Sequence, residues 1–113
     1  MAVRWKPELG NPADFDIEAH GADGLYRAVL KNFAGEAVFS EFRGYPSGEN
    51  GYFRLSYPPT GLSVSETLDR PLSKMALWAT KDVVCPELFA SFRVEAGESV
   101  RWERRYGFGA GAV

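Results

Sequence analysis

Apolar and polar residues alternate with a period of two along much of this chain, and that period restricts its fold more than any other feature. A strand with one buried face shows such a pattern, because successive side chains point to opposite sides of the sheet. Over 98–108, Val100, Trp102, Tyr106 and Phe108 share one phase, while Ser99, Arg101, Glu103 and Arg105 share the other. Arg104 interrupts the apolar phase and must pair or reach solvent. Just upstream, Ala90, Phe92 and Val94 alternate with Ser91, Arg93 and Glu95, and Glu95-Ala96-Gly97-Glu98 between the two runs reads as a turn. The expectation is a hairpin joining 89–95 to 98–108, with Phe92, Val94, Val100 and Trp102 in the core and its amides the most protected in the fold.

The same period recurs elsewhere. Phe15, Ile17 and Ala19 alternate with acidic residues, and His20-Gly21-Ala22-Asp23-Gly24 follows as a turn. Phe53, Leu55 and Tyr57 alternate with Arg54 and Ser56 before Pro58-Pro59-Thr60-Gly61 stops the strand. Leu62, Val64 and Glu66 open another strand, and Met75, Leu77 and Ala79 form the apolar phase of a further one. The stretch 25–34 is two-sided: Tyr26, Ala28 and Leu30 suit a strand, whereas Tyr26, Val29, Leu30 and Phe33 fall at helical spacing. The regularity around it favours two strands over 25–42, the second carrying Val38, Ser40 and Phe42, with 32–36 between them. Residues 43–51 have loop composition, and the glycine- and alanine-rich 107–113 reads as a flexible tail.

Eight to ten short strands separated by turns predict an all-β fold, an antiparallel β-sandwich. At 113 residues the chain has the length of one domain, so 1–113 is expected to form a single sandwich. Such a chain buries about two-thirds of its unfolded surface, enough for a core without metal or disulfide staples.

Charge and cysteine usage narrow the function classes. The formal net charge is −2, and the one basic cluster, Arg101, Arg104 and Arg105, is interleaved with Glu98 and Glu103. Nucleic-acid binding needs a basic face, and none is predicted. No apolar run approaches the roughly 18 residues of a membrane span, and no basic amphipathic helix suits a membrane surface. The amino-terminal residues lack a secretory apolar stretch, and Cys85 is the only cysteine, so the cytoplasm is the expected compartment. One histidine and one cysteine make no metal site, and no cofactor motif is present.

The second half carries a more specific pattern: Pro71-Leu72-Ser73-Lys74-Met75-Ala76-Leu77-Trp78-Ala79-Thr80, then Val83-Val84-Cys85-Pro86-Glu87, then Val94-Glu95-Ala96-Gly97-Glu98-Ser99-Val100-Arg101-Trp102. Over about residues 52–108 this order resembles the carboxy-terminal part of aldose 1-epimerases and, more broadly, the galactose mutarotase-like sugar-binding supersandwich. The resemblance implies a sugar ligand and assigns Glu87 the place of the base that takes the anomeric hydroxyl proton. Ring opening also needs an acid at the ring oxygen. The family draws its acid histidine and sugar-binding residues from upstream segments, whereas His20 here lies in a turn outside the matching region.

Other readings stand beside these. Glu87 has the composition context of an exposed glutamate, Cys85 of a small core residue, and His20 of a turn residue as well as a general acid. Trp78 occupies the polar phase of its strand, as a sugar-stacking platform or as a residue covered on a second face. Arg54 occupies the polar phase of its own strand, and Tyr45 lies in a loop suited to a binding rim. Three function classes follow: a carbohydrate-binding, mutarotase-like domain without full epimerase activity; a structural or protein-interaction domain; and an epimerase using Glu87. A partial sandwich also implies an open strand edge, and hence a homodimer.

Overall fold

Strands form where the alternation is cleanest. The computed structural model describes residues 1–20, 24–31 and 37–110. Its elements are β1 (Ala2–Val3), β2 (Glu8–Leu9), β3 (Phe15–His20), β4 (Leu25–Leu30), β5 (Val38–Arg43), β6 (Asn50–Tyr57), β7 (Leu62–Pro71), β8 (Lys74–Ala79), β9 (Val84–Phe89) and β10 (Arg104–Gly109), with a 3-10 turn at Pro12–Asp14. They form two sheets, one ordered β10-β7-β6-β1-β4-β3 and the other β2-β5-β8-β9. Every pairing is antiparallel. The fold is thus the all-β sandwich that the period predicts, and no helix among the described residues is long and apolar enough to cross a membrane.

The two-sided stretch resolves as strand. Residues 25–30 pair in register with β3, from His20 opposite Leu25 to Phe15 opposite Leu30. The expected connection over 32–36 and the turn over 21–23 lie outside the described residues. The two strands flanking 32–36 go to different sheets, so β4 and β5 lie across the core from each other.

The core is the meeting of the two inner faces. Val3, Phe42 and Leu68 are 0% exposed and Met75 is 1% exposed. Phe42 of the smaller sheet meets Phe15 of the larger edge-to-face at 5.9 Å, an arrangement that suits the ring quadrupoles. Ser40, also buried, is satisfied: its hydroxyl donates to the Glu41 carbonyl and accepts from the Asn11 amide. A β-bulge falls between Asn50 and Tyr52. Gly51 sits there because a Cβ would come within 3.1 Å of Leu68 and Leu88 and 3.2 Å of Leu72.

β1 is short and central, flanked by β4 and β6. The Met1 ammonium donates to the Ala28 carbonyl at 2.8 Å, and the Ala28 amide donates to the Met1 carbonyl at 2.7 Å. Burial of the amine, with Arg27 and Arg54 nearby, lowers its pKa from the usual 8.0 to about 6.

The largest departure from expectation is the segment 90–103. Its turn exists: Gly97 has φ 83° and the Glu98 amide donates to the Glu95 carbonyl at 3.0 Å. Its ladder does not, and no strand is assigned between β9 and β10. Phe92, Val94 and Trp102, expected in the core, are 36%, 49% and 47% exposed, and Val100 is only partly buried. The reason is one of layers. A one-sided apolar strand needs a facing sheet, and this segment pairs with neither sheet and leaves its apolar residues largely exposed. Phe92 and Trp102 pack on each other instead, at 4.9 Å between centroids, with the Arg70 guanidinium over Phe92. Pairing resumes only at Arg104, which answers the demand of its sequence position: it reaches Glu66 at 3.5 Å and donates to the Leu88 carbonyl at 3.0 Å.

The tail expected over 107–113 is corrected in part. Gly107 and Gly109 belong to β10, opposite Ser65 and Ser63. A Cβ at Gly107 would come within 2.7 Å of the Ser65 hydroxyl and one at Gly109 within 2.8 Å of the Ser63 hydroxyl, so a larger residue at either position would make that hydroxyl turn away. Residues 111–113 lie outside the described residues.

Two outcomes follow from this core. In urea unfolding, Phe42→Ala costs about 3–5 kcal/mol, the range for removing a fully buried aromatic ring, whereas Trp102→Ala costs under about 1 kcal/mol. The second concerns pH. In the chain that starts at Met1, the folded amine has a lower pKa than the unfolded one, so unfolding takes up a proton between about pH 6 and pH 8. Stability is therefore full above pH 8, falls as pH drops through that window by at most roughly 3 kcal/mol, and is level below it with respect to this group. Amino-terminal acetylation removes this component from the stability–pH curve.

Candidate functional site

Period two gives each strand of the smaller sheet an outward face as well as an inward one. Met75, Leu77 and Ala79 of β8 point into the core, so Lys74, Ala76 and Trp78 point outward. Registers with the neighbouring strands then set three outward rows. Phe39, Trp78 and Cys85 form the first, Glu41, Ala76 and Glu87 the second, and Lys74 with Phe89 part of the third.

In the first row Trp78 is 40% and Phe39 50% exposed, and directly opposed side chains on neighbouring strands are about 5 Å apart at Cβ. These rings form an aromatic strip along one end of the sheet. Cys85, expected in the core, is half-buried on this outer face beside Trp78, because its strand phase is the outward one.

The second row is carboxylate, alanine, carboxylate. Ala76, only 2% exposed, lies covered between Glu41 and Glu87, which stand two strand spacings apart, roughly 10 Å. Glu87 is exposed on the open face. Glu41 is held by Arg43 at 2.8 Å and Lys74 at 3.3 Å, and hydrogen bonds from these two cations keep its carboxyl below the usual range. Lys74 also lies over the Phe89 ring at 5.4 Å. The face therefore combines apolar ring surface with hydrogen-bonding groups of both signs, and it is flat and open.

Of the residues singled out in the sequence, Trp78 and Glu87 share this face. The others are elsewhere. Arg54 belongs to the larger sheet, opposite Ala2. Tyr45 lies beyond the far end of β5 from Phe39, partly buried, and packs edge-to-face on Trp5 at 5.7 Å. His20 ends β3 opposite Leu25, and its side chain lies outside the described residues. Phe39, Glu41 and Lys74 were not anticipated. Phe39 had a signal, since it is a large aromatic on the polar phase of Val38, Ser40 and Phe42, as Trp78 is on its own strand.

A second feature is a cleft of about 850 Å³ where β1 ends, between β4 and β6. Leu30, Leu55 and Tyr57 wall it, and Leu77, Ala79 and Val84 of the smaller sheet form its floor. No group of three or more His, Cys, Asp or Glu side chains that could hold a metal ion occurs among the described residues. The chain matches no family model, no curated protein and no solved structure.

Proposed function

We propose that this protein is a carbohydrate-binding β domain whose ligand lies on the outer face of the smaller sheet. The observation that carries the reading is the exposed pair Trp78 and Phe39 beside Glu41, Lys74 and Glu87. The apolar face of a pyranose stacks on an indole, and its hydroxyls need donors and acceptors at the ring's edge. Glu41 and Glu87 accept, and Lys74 donates. The resemblance of 52–108 to the mutarotase-like pattern points to the same ligand class. The face is flat and does not enclose, which favours an extended saccharide over a single engulfed sugar.

Catalysis is the weaker part of that resemblance. Ring opening asks for a base at one oxygen, an acid at another, and a site that keeps water out. Glu87 on an open face supplies only a carboxylate. We therefore read the domain as a binder and not an epimerase. A saccharide panel titrated by NMR is expected to shift the Trp78 indole and the Phe39 ring, with Trp78→Ala abolishing the shifts and Glu87→Gln weakening binding several-fold. Polarimetry of galactose and glucose anomers is expected to show no acceleration. Fast interconversion lost in Glu87→Gln would replace this reading with the epimerase one, and shifts absent for every saccharide would end it.

A second reading, association with another copy of this chain, is favoured by the β10 edge. Tyr106 and Phe108 stand 52% and 83% exposed on an edge strand. Glu103 bonds with Asp69 of β7, so the backbone groups of Arg104, Tyr106 and Phe108 turn outward by alternation. Two such strands pairing antiparallel about Arg104 bring each Glu103 opposite the partner's Arg105, and each Trp102 opposite the partner's Tyr106. A homodimer is the expected species in sedimentation velocity, and Phe108→Glu, at a largely exposed position, is expected to yield monomer. A monomer at every concentration up to high micromolar would refute the pairing.

A further inference from the structure

The carboxylates on the outer face of the smaller sheet differ in the company they keep. Glu41 has two cations, Arg43 at 2.8 Å and Lys74 at 3.3 Å. Arg43 holds it through two nitrogens, and Lys74 is engaged by the Phe89 ring as well. Glu8 stands opposite Arg43 on β2, at the far edge of the sheet from β9. Glu87 is different. Among the described residues its side chain has no ion pair and no hydrogen bond.

The registers put this free carboxylate beside the aromatic strip. Trp78 stands opposite Cys85 and Ala76 opposite Glu87, so Glu87 is the diagonal neighbour of Trp78, about 7 Å away at Cβ. A half-exposed indole and an unneutralised negative charge therefore meet at one place on the face.

We infer that the saccharide this face takes carries free amino groups, with a sugar ring on Trp78 and a protonated amine between the indole edge and Glu87; the inference rests on the carbohydrate-binding reading. An ammonium gives Glu87 a charge-assisted hydrogen bond, and a nearby aromatic ring attracts the same cation. A neutral saccharide offers Glu87 hydroxyl donors alone. An acidic saccharide sets a second negative charge beside it and finds Arg43 and Lys74 already on Glu41. N-acetylation keeps the sugar ring and removes the charge, so it separates the two contributions.

The probe is a short glucosamine oligomer, titrated into the full chain by NMR at low salt and at a pH where its amines are charged. Its N-acetylated form, a glucose oligomer of the same length and linkage, and a galacturonate oligomer are titrated beside it. The glucosamine oligomer is expected to bind about fivefold more tightly than the N-acetylated and glucose oligomers, with an advantage that shrinks as salt rises. The galacturonate oligomer is expected to bind least. Glu87→Gln is expected to bring the glucosamine and glucose oligomers to equal affinity. Glu98→Gln, the same change of charge at the exposed turn between β9 and β10, is expected to keep the preference. Equal binding of glucose and glucosamine oligomers by the unsubstituted chain would overturn the inference while the carbohydrate reading stands. A preference that survives Glu87→Gln would overturn it too, and binding of no oligomer would end both.

Discussion

Everything else in the structure hangs on the contact between two inner faces, centred on Phe42 against Phe15 and on the wholly buried Val3 and Leu68. Each sheet has one apolar side to remove from water, and neither can do so alone. That requirement fixes register, because a one-residue slip in any strand would send its apolar set to solvent. It also fixes which residues are available for function. Once Met75, Leu77 and Ala79 are committed inward, Trp78 has nowhere to go but out.

The larger sheet reaches beyond its cover. It has six strands against four, and β10 at its edge is exposed along its whole length. There the inner-phase residues lack a facing layer, and the sandwich holds the strand by polar contacts instead. Glu66 is buried, and it pairs with Arg104 and accepts a hydrogen bond from the Tyr106 hydroxyl, which raises that phenol's pKa. Arg104 also bonds the Leu88 carbonyl, tying the edge of one sheet to the other. A buried carboxylate is tolerated because it is paired, and its pairing is what brings β10 in.

The surface offered for binding follows from the two-layer arrangement. A sandwich uses one face of each sheet and leaves the other to solvent, so aromatics on the outward phase, Trp78 and Phe39, are not needed for the core. The cleft lies beside Met1 between β4 and β6, over Leu77, Ala79 and Val84. One surface is aromatic and charged, and the other is a mostly apolar cleft.

What the sequence determined by itself was local and periodic: the strands over 15–19, 26–30, 38–42, 53–57, 62–66 and 75–79 with their inward and outward phases, the turns at 58–61 and 95–98, and the need of Arg104 for a partner. Trp78 as an outward aromatic was legible for the same reason, since phase depends only on neighbours in the chain. Tertiary structure decided which phases found a second layer. The alternation of 90–103 is as clean as that of β8, yet β8 is covered and 90–103 is not, because cover comes from strands distant in sequence. The grouping of Trp78 with Phe39, Glu41 and Glu87 and the removal of Arg54 and Tyr45 from that group were both set by strand order. A period of two states which way a side chain points, and only the packing of the sheets states what it meets.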